Sequence, residues 1–332
     1  MNVSDYLSDD GMVLLALCSG FALPEGSAAG ETAPFTLSEW NKLARQVHDS
    51  PLRQPAALQG RTATDLAHDL AIPSEDAERI VRLLDRSGRL ALELEGLFSR
   101  GLWALTRMDE PYPKKLRDTL KRQAPTVLFG AGDPQLLSRG GIAVIGSRNI
   151  DDAGTAFAQE VGRKAAAAQV PVVSGGARGT DRLAMGAALE AGGRAFGVLA
   201  DSLERTVRQP DLRQLLLDGQ LVLLTPYVPT AGFSVGGAMG RNKVIYGLAD
   251  FAVVVSSDFQ TGGTWAGSVE ALKAGWCPVF ARDGTDVPKG NRELLKLGAA
   301  PLPESELSRT SDLPCWLGQH TKAKAMERDL FD

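Results

Sequence analysis

Four short glycine-rich segments, three of them basic, hold the residues that can bind an anion. Three contain arginine: Gly146-Ser147-Arg148, Ser174-Gly175-Gly176-Ala177-Arg178-Gly179 and Gly240-Arg241-Asn242-Lys243. The fourth is Thr261-Gly262-Gly263-Thr264. Glycine lets a backbone approach a ligand closely, and arginine offers paired N–H donors that match a phosphate. The four glycine segments therefore predict a phosphate-binding site.

These segments stand where a parallel sheet binds its ligands. The first follows an apolar run at 142–145, the second follows 170–173, and the fourth lies beyond 251–255. The third opens a helix predicted over 241–248. In open α/β sheets, ligands bind beyond the carboxyl ends of the strands, and the first N–H groups of each following helix are unpaired. We therefore expect backbone N–H groups and arginines to form a local anion site at this edge.

A doubly wound α/β domain would bring the segments together. From residue 141 onward, short apolar runs alternate with amphipathic stretches, which is typical of parallel strands covered by helices on both faces. The predicted strands are 142–145, 170–173, 195–199, 221–224, 251–255 and 278–280. The predicted helices are 152–168, 181–191, 211–217, 241–248, 265–274 and 291–297. The pattern indicates an α/β fold with a mostly parallel sheet.

The first hundred residues predict a small all-helical domain. Thr36 and Glu39 have the spacing of a capping box, and Thr64 is placed to open a further helix. We therefore predict a helical domain over 1–100, the α/β domain over 101–300, and a mostly polar tail over 301–332.

Composition excludes several classes of protein. The chain has 332 residues, 44% of them hydrophobic, and a net charge of −4, so no global positive field attracts nucleic acid. Its three cysteines are far apart and its three histidines lie outside the glycine segments, which argues against disulfides, zinc and a Ser-His-Asp triad. No apolar run approaches the ~20 residues that span a bilayer, so we expect a cytoplasmic protein without membrane contact.

Common nucleotide motifs are missing as well. The segments match neither GxGxxG with an acidic residue about 20 positions on, nor a P-loop, so nicotinamide chemistry and ATP hydrolysis are not expected. Asp181 is interpreted as a helix cap or a partner of Arg178, and Glu270 is not expected to be catalytic. We predict no catalytic residue, no metal and no cofactor.

Several segments in consistent order resemble the DNA-processing protein A (DprA, or Smf) family. The similar stretches are Gly146–Arg148, Ser174–Asp181, Arg241–Leu248, and upstream Gly101–Leu116 and Pro125–Gly132. The resemblance implies an extended Rossmann-like domain after a small SAM-like helical domain. It also implies a non-enzymatic homodimer that binds single-stranded DNA, with a RecA-type recombinase as a further partner in DNA uptake (transformation), recombination or repair.

When the family's motif positions are carried over to this sequence, the resemblance and the strand-end pattern together predict one set of DNA- or phosphate-binding residues. This set is Gly146, Ser147, Arg148, Ser174, Gly175, Gly176, Arg178, Gly179, Arg241, Asn242, Lys243, Thr261, Gly262, Gly263 and Thr264. Phe233 and Trp265 are the aromatic residues nearest to them that can stack on a base.

The chain also departs from the family pattern. Met185 replaces a customary histidine, Thr261–Trp265 replaces a Ser-Gly-Ser-Leu motif, and Ala281-Arg282 replaces Pro-Gly. We also expect no winged-helix domain after residue 300. The wider superfamily of similar folds includes SLOG sensors of nucleotide-derived ligands and LOG phosphoribohydrolases. A nucleotide sensor in a stress or phage-defence pathway, a hydrolase, and an interaction protein with a vestigial pocket therefore stay open as alternatives.

Overall fold

The computed structural model describes residues 3–23 and 33–329. The chain forms two compact units, of which the first comprises residues 1–112, 121–131 and 225–231. Its helices are α1 (Asp9–Cys18), α2 (Leu37–Asp49), α3 (Ala63–Leu70), α4 (Ser74–Leu84) and α5 (Ser87–Ser99). An antiparallel pair of strands follows, β1 (Leu102–Thr106) and β2 (Val127–Ala131).

Local capping explains where two of these helices begin. The predicted capping box of Thr36 and Glu39 is confirmed at the start of α2. The prediction that Thr64 opens the next helix is wrong, because Thr62 caps α3 in a second box with Asp65. Each box satisfies backbone N–H groups that a helix start leaves unpaired.

The second unit comprises residues 113–120, 132–224 and 232–332, and its centre is a parallel sheet. The strands are β3 (Ile142–Gly146), β4 (Val172–Ser174), β5 (Ala195–Val198), β6 (Leu221–Thr225), β7 (Phe251–Ser256), β8 (Val279–Asp283) and β9 (Ala300–Pro303). They lie in the order β6-β5-β4-β3-β7-β8-β9. Every neighbouring pair is parallel. The predicted α/β class is therefore confirmed.

The helices of this unit precede, connect or follow these strands. They are α6 (Lys114–Leu120), α7 (Asp152–Ala167), α8 (Thr180–Glu190), α9 (Leu203–Val207), α10 (Pro210–Leu217), α11 (Val235–Leu248), α12 (Gly262–Ala274), α13 (Lys289–Lys296), α14 (Glu304–Arg309) and α15 (Leu313–Asp329). Parallel crossovers are right-handed, so connections that run in opposite directions along the sheet cover opposite faces. Accordingly α7 packs against α8, whereas α11 packs against α6 and α12.

Two parts of this unit differ from the sequence expectations. The helix predicted over 241–248 begins at Val235, because Ser234 accepts a hydrogen bond from the N–H of Gly237 and caps it there. Residues predicted as a polar tail contain β9, α14 and α15. The predicted domain limits of 1–100, 101–300 and 301–332 stay a prediction.

The departure at Ala281-Arg282 has a structural explanation. Arg282 is 1% exposed at the end of β8. Its Nε donates to Glu304 over 2.7 Å, and its Nη1 lies 3.4 Å from Asp151. Because Asp151 also caps α7, this guanidinium ties β8 to α7 and α14. Within the described part of the chain, no helix is long and apolar enough to cross a membrane.

Candidate functional site

The sheet reverses its winding direction between β3 and β7, and a cleft of about 400 Å³ opens at their carboxyl ends. Connections after β3 run to one side of the sheet and those after β7 run to the other, which makes this the usual ligand position of a doubly wound fold. We call it the switch-point cleft. Its predicted site residues are Gly146, Ser147, Arg148, Arg241, Asn242, Thr261, Gly262, Gly263 and Thr264.

The first and fourth glycine segments form the floor and one edge of this cleft. The N–H of Ser147 donates to the carbonyl of Ser256 over 2.9 Å, which joins the ends of β3 and β7. Gly262, Gly263 and Thr264 form the first turn of α12, after Thr261. Asn242 Nδ2 donates to the carbonyl of Gly263 over 3.1 Å, so this side chain supports the fourth segment.

The second glycine segment uses several of its polar groups internally. Ser174 is fully buried, and its hydroxyl donates to the carbonyl of Val144 over 2.6 Å. The N–H groups of Gly175 and Ala177 both donate to the Asp181 carboxylate, over 3.1 and 3.3 Å. Two N–H groups expected to face phosphate are thus occupied by the protein. Through these two hydrogen bonds the Asp181 carboxylate holds the loop that precedes α8 in place.

Asp181 and Arg241 form an electrostatic pair beneath this loop. Burial raises the pKa of the Asp181 carboxyl, and the charge of Arg241 acts to lower it. Arg241 is 7% exposed, and a Cβ at position 175 would overlap its guanidinium. The third segment was expected at a helix start, whereas Arg241 reaches both Asp181 and the cleft from the middle of α11.

Arg148 and Arg178 are the exposed basic residues of the predicted set. The guanidinium carbon of Arg148 lies 5.4 Å from the centroid of the Phe233 ring, and that ring is 52% exposed. Arg178 donates through Nη2 to Asn149 Oδ1 over 3.2 Å. The backbone after Arg178 packs closely against that of Arg148, since a Cβ at Gly179 would lie 2.5 Å from the carbonyl oxygen of Arg148. The two arginines therefore flank one surface.

A second cleft, of about 620 Å³, lies beside the first. It is called here the side cleft, and it includes Gly175, Gly176 and Arg178 of the second segment. Arg148, Ala177, Phe233 and Arg241 line both clefts and form their shared wall.

Lys243 is not brought to either cleft. It follows Arg241 by two residues on α11, which turns it by about 200° around the helix axis. Burial lowers the pKa of its ammonium group, and the charge of Glu270 opposes that effect. Trp265 packs edge-on against Phe259 with 5.1 Å between ring centroids, so its ring is engaged within the protein.

Sequence reasoning missed the residues that complete the side cleft. Arg182, Met185 and Leu189 line it from α8, and Arg205 lines it from α9. The i, i+3, i+7 spacing of the first three was the available signal, because it places them on one helix face. Among residues 3–23 and 33–329, no three His, Cys, Asp or Glu side chains converge as a metal site.

Comparisons with known proteins identify relatives of this chain. A DNA processing protein DprA from Bacillus subtilis is 30% identical over 165 residues, which are 48% of this chain and 54% of that protein. The chain thus matches about half the length of this relative.

Two solved structures share the fold. DNA processing protein A from Streptococcus pneumoniae aligns with a TM-score of 0.66 at 21% identity, over 90% of this chain and 95% of that one. The Helicobacter pylori protein, studied for its single-stranded DNA binding mode, aligns with a TM-score of 0.53 at 22% identity, over 67% of this chain and 96% of that one.

The family assignment follows from the sequence itself. The sequence model of the family described as DNA recombination-mediator protein A matches residues 103–309. This range is more than half of the chain and contains all four glycine segments. The chain belongs to the DNA recombination-mediator protein A family.

Proposed function

We propose that this chain binds single-stranded DNA across the shared wall of the two clefts and acts in DNA processing and recombination without catalysing a reaction. The observation that carries the proposal is the pairing of Arg148 with Phe233 on that wall. A guanidinium holds a phosphate, and an exposed ring accepts a base on its face, so one small surface offers both contacts that a single strand needs. A relative studied for its single-stranded DNA binding supports the same ligand.

The character of the binding follows from these contacts. Arginines that hold phosphates read no sequence, and an aromatic face accepts every base. Binding is therefore tolerant of sequence and weakens as salt rises. The net charge of −4 does not oppose this, because Arg148, Arg178 and Arg182 are exposed together at the clefts.

Fluorescence anisotropy of a labelled oligothymidylate tests the proposal. Affinity is measured between about 50 and 200 mM salt for the wild type, Arg148→Ala and Arg178→Ala. Each variant is expected to weaken binding and to make the salt slope shallower by about 0.7 for each lost phosphate contact. Arg163→Ala is the matched control, because Arg163 is an exposed arginine paired with Glu160 on α7. Affinity that ignores salt, or that falls equally in the control, refutes the proposal.

A sensor of free nucleotides is the second candidate, and the side cleft favours it. Its volume of about 620 Å³ lies within the range of small-molecule sites. Competition by mononucleotides in the anisotropy assay separates the two functions. A sensor binds the free nucleotide more tightly than the strand, whereas a strand-binding protein releases the oligonucleotide only at high nucleotide concentration.

We also propose that the chain works as a homodimer and passes the strand to a RecA-type recombinase. Membership of a recombination-mediator family supports the transfer of the strand to a recombinase. Light scattering across a concentration series tests the dimer. Strand exchange by a RecA-type recombinase, with and without this chain, tests the transfer.

A further inference from the structure

The side cleft combines an apolar wall with a basic rim. Its apolar residues include Met185, Leu189, Leu199, Leu212 and Leu223. The arginines at its edge include Arg178, Arg182 and Arg205. A binding site of this size that mixes apolar walls with a few directed polar groups suits a flat, weakly polar group attached to an anion.

Helix α8 shows where the flat group fits. Arg182, Met185, Gly186 and Leu189 line the cleft from one face of this helix. Glycine is a poor helix former, so a glycine at this position of the helix is not explained by helix propensity. A Cβ at Gly186 would meet nothing within 4 Å, so the missing side chain leaves open space beside the apolar residues.

The charged side chains at the rim determine how much negative charge the ligand can carry. Arg182 donates through Nε to the carbonyl of Gly176 over 3.2 Å, and an arginine held in this way presents its Nη atoms to an anion. Arg205 pairs with Asp201 at 3.0 Å, and Asp211 also lines the cleft. Two carboxylates disfavour a polyphosphate inside the cleft but accept a neutral base there with one phosphate at the rim.

We propose that the side cleft receives one nucleotide unit, with its base against the apolar wall of α8 and its phosphate at Arg182. The inference rests on the proposed function, because the shared wall of Arg148, Ala177, Phe233 and Arg241 lets a strand in the switch-point cleft deliver a neighbouring nucleotide. The same chemistry is present in a free deoxynucleoside monophosphate. The strand and the free nucleotide are therefore separate arms of the test.

The variant Gly186→Leu fills the open space with an apolar side chain. Its matched control is Gly96→Leu, because Gly96 also lies in a helix, α5, and a Cβ there also meets nothing within 4 Å. One arm measures anisotropy with labelled oligothymidylate. The other measures calorimetric binding of deoxythymidine monophosphate beside deoxyribose 5-phosphate, which lacks the base.

We expect Gly186→Leu to weaken binding of the strand about tenfold relative to Gly96→Leu, which corresponds to about 1.4 kcal/mol. If Gly186→Leu loses affinity only for deoxythymidine monophosphate, the cleft binds the free nucleotide, which also supports the proposal. Unchanged affinity in both arms overturns it, and so does an equal loss for the sugar phosphate that carries no base.

A second variant keeps the test independent of the fold of α8. Arg182→Ala removes an exposed side chain and is expected to weaken the same ligand severalfold, with Arg163→Ala as its control. If Arg148→Ala and Arg178→Ala reduce strand binding while Gly186→Leu and Arg182→Ala do not, the proposed function stands and the cleft inference fails. If the wild type binds no strand, the proposed function fails, and the nucleotide arm alone decides the role of the cleft.

Discussion

The close packing of Gly175 against Arg241 makes one substitution especially informative. In Gly175→Ala, the new Cβ overlaps the guanidinium of Arg241. An exposed arginine would move aside at little cost. Arg241, however, is 7% exposed, and its charge offsets the buried carboxylate of Asp181. Displacement therefore strains the packing and separates two charges in a region of low dielectric constant.

The size of the effect follows from two terms. Overpacking a buried site costs about 1–3 kcal/mol. The backbone term has the opposite sign, since replacing glycine by alanine at a compatible φ stabilises by about 0.4–1 kcal/mol through the unfolded chain. Position 175 is not among the residues with positive φ, so alanine fits its backbone. In an Arg241→Ala background the overlap is absent, and only the favourable term remains.

A double-mutant cycle measured by urea unfolding tests this reasoning. Gly175→Ala is expected to lower the free energy of unfolding of the wild type, and to leave that of Arg241→Ala unchanged or slightly raised. The coupling free energy is then about 2 kcal/mol, within the usual range for residues in contact. Additive effects of the two substitutions would show that the guanidinium does not rest on Gly175. A loss of DNA binding in Gly175→Ala would further indicate that Arg241 is held in place by this contact.

Three other substitutions probe the same region. Gly179→Ala is expected to destabilise the protein by at least about 1–2 kcal/mol in thermal unfolding, because φ is +86° and the new Cβ would lie 2.5 Å from the carbonyl oxygen of Arg148; an unchanged melting temperature contradicts this. Ser174→Ala removes the 2.6 Å bond to Val144, so it should cost about 1 kcal/mol and leave DNA affinity unchanged; a binding defect without a stability loss would give Ser174 a ligand contact instead. Burial raises the pKa of Asp181 above its ordinary 3.8, so between pH 3.8 and the folded-state pKa the folded protein holds a proton that the unfolded chain has lost. The stability of the wild type relative to Asp181→Asn is therefore greatest below pH 3.8 and falls as pH rises through the folded-state pKa; melting curves of both proteins with parallel pH dependence would refute it.

The parallel sheet was largely predictable, because buried strands appear as continuous apolar runs. All six predicted strands are present, and none of their boundaries is shifted by more than three residues. The start of α11 was not predictable from local sequence. Its first turns contain Gly236, Gly237 and Gly240, each of which disfavours a helix, so the stretch resembles a loop. Packing of α11 against α6 and α12 overrides that local preference.

The candidate site was predictable only at the level of its segments. Strand ends meet at one edge of the sheet whatever the side chains do, so the first, second and fourth segments were correctly placed. The direction of each side chain could not be predicted from the sequence. Asn242 supports Gly263, and Lys243 lines neither cleft, although both are close to Arg241 in sequence. The side cleft was missed because its lining comes from α8 and α9, whose convergence depends on the order of β4 and β5 in the sheet.

The charge of the chain finally sets how strongly it can hold a strand. Of the five arginines in the side cleft, Arg241 is committed to Asp181 and Arg205 is paired with Asp201. Under the proposed function, the exposed Arg148, Arg178 and Arg182 are then the main phosphate contacts. Three contacts to a single strand give a salt slope of about −2, far shallower than that of a strongly basic protein. Affinity must therefore come from base contacts as well, which is why Phe233 and the apolar wall of α8 matter as much as the arginines.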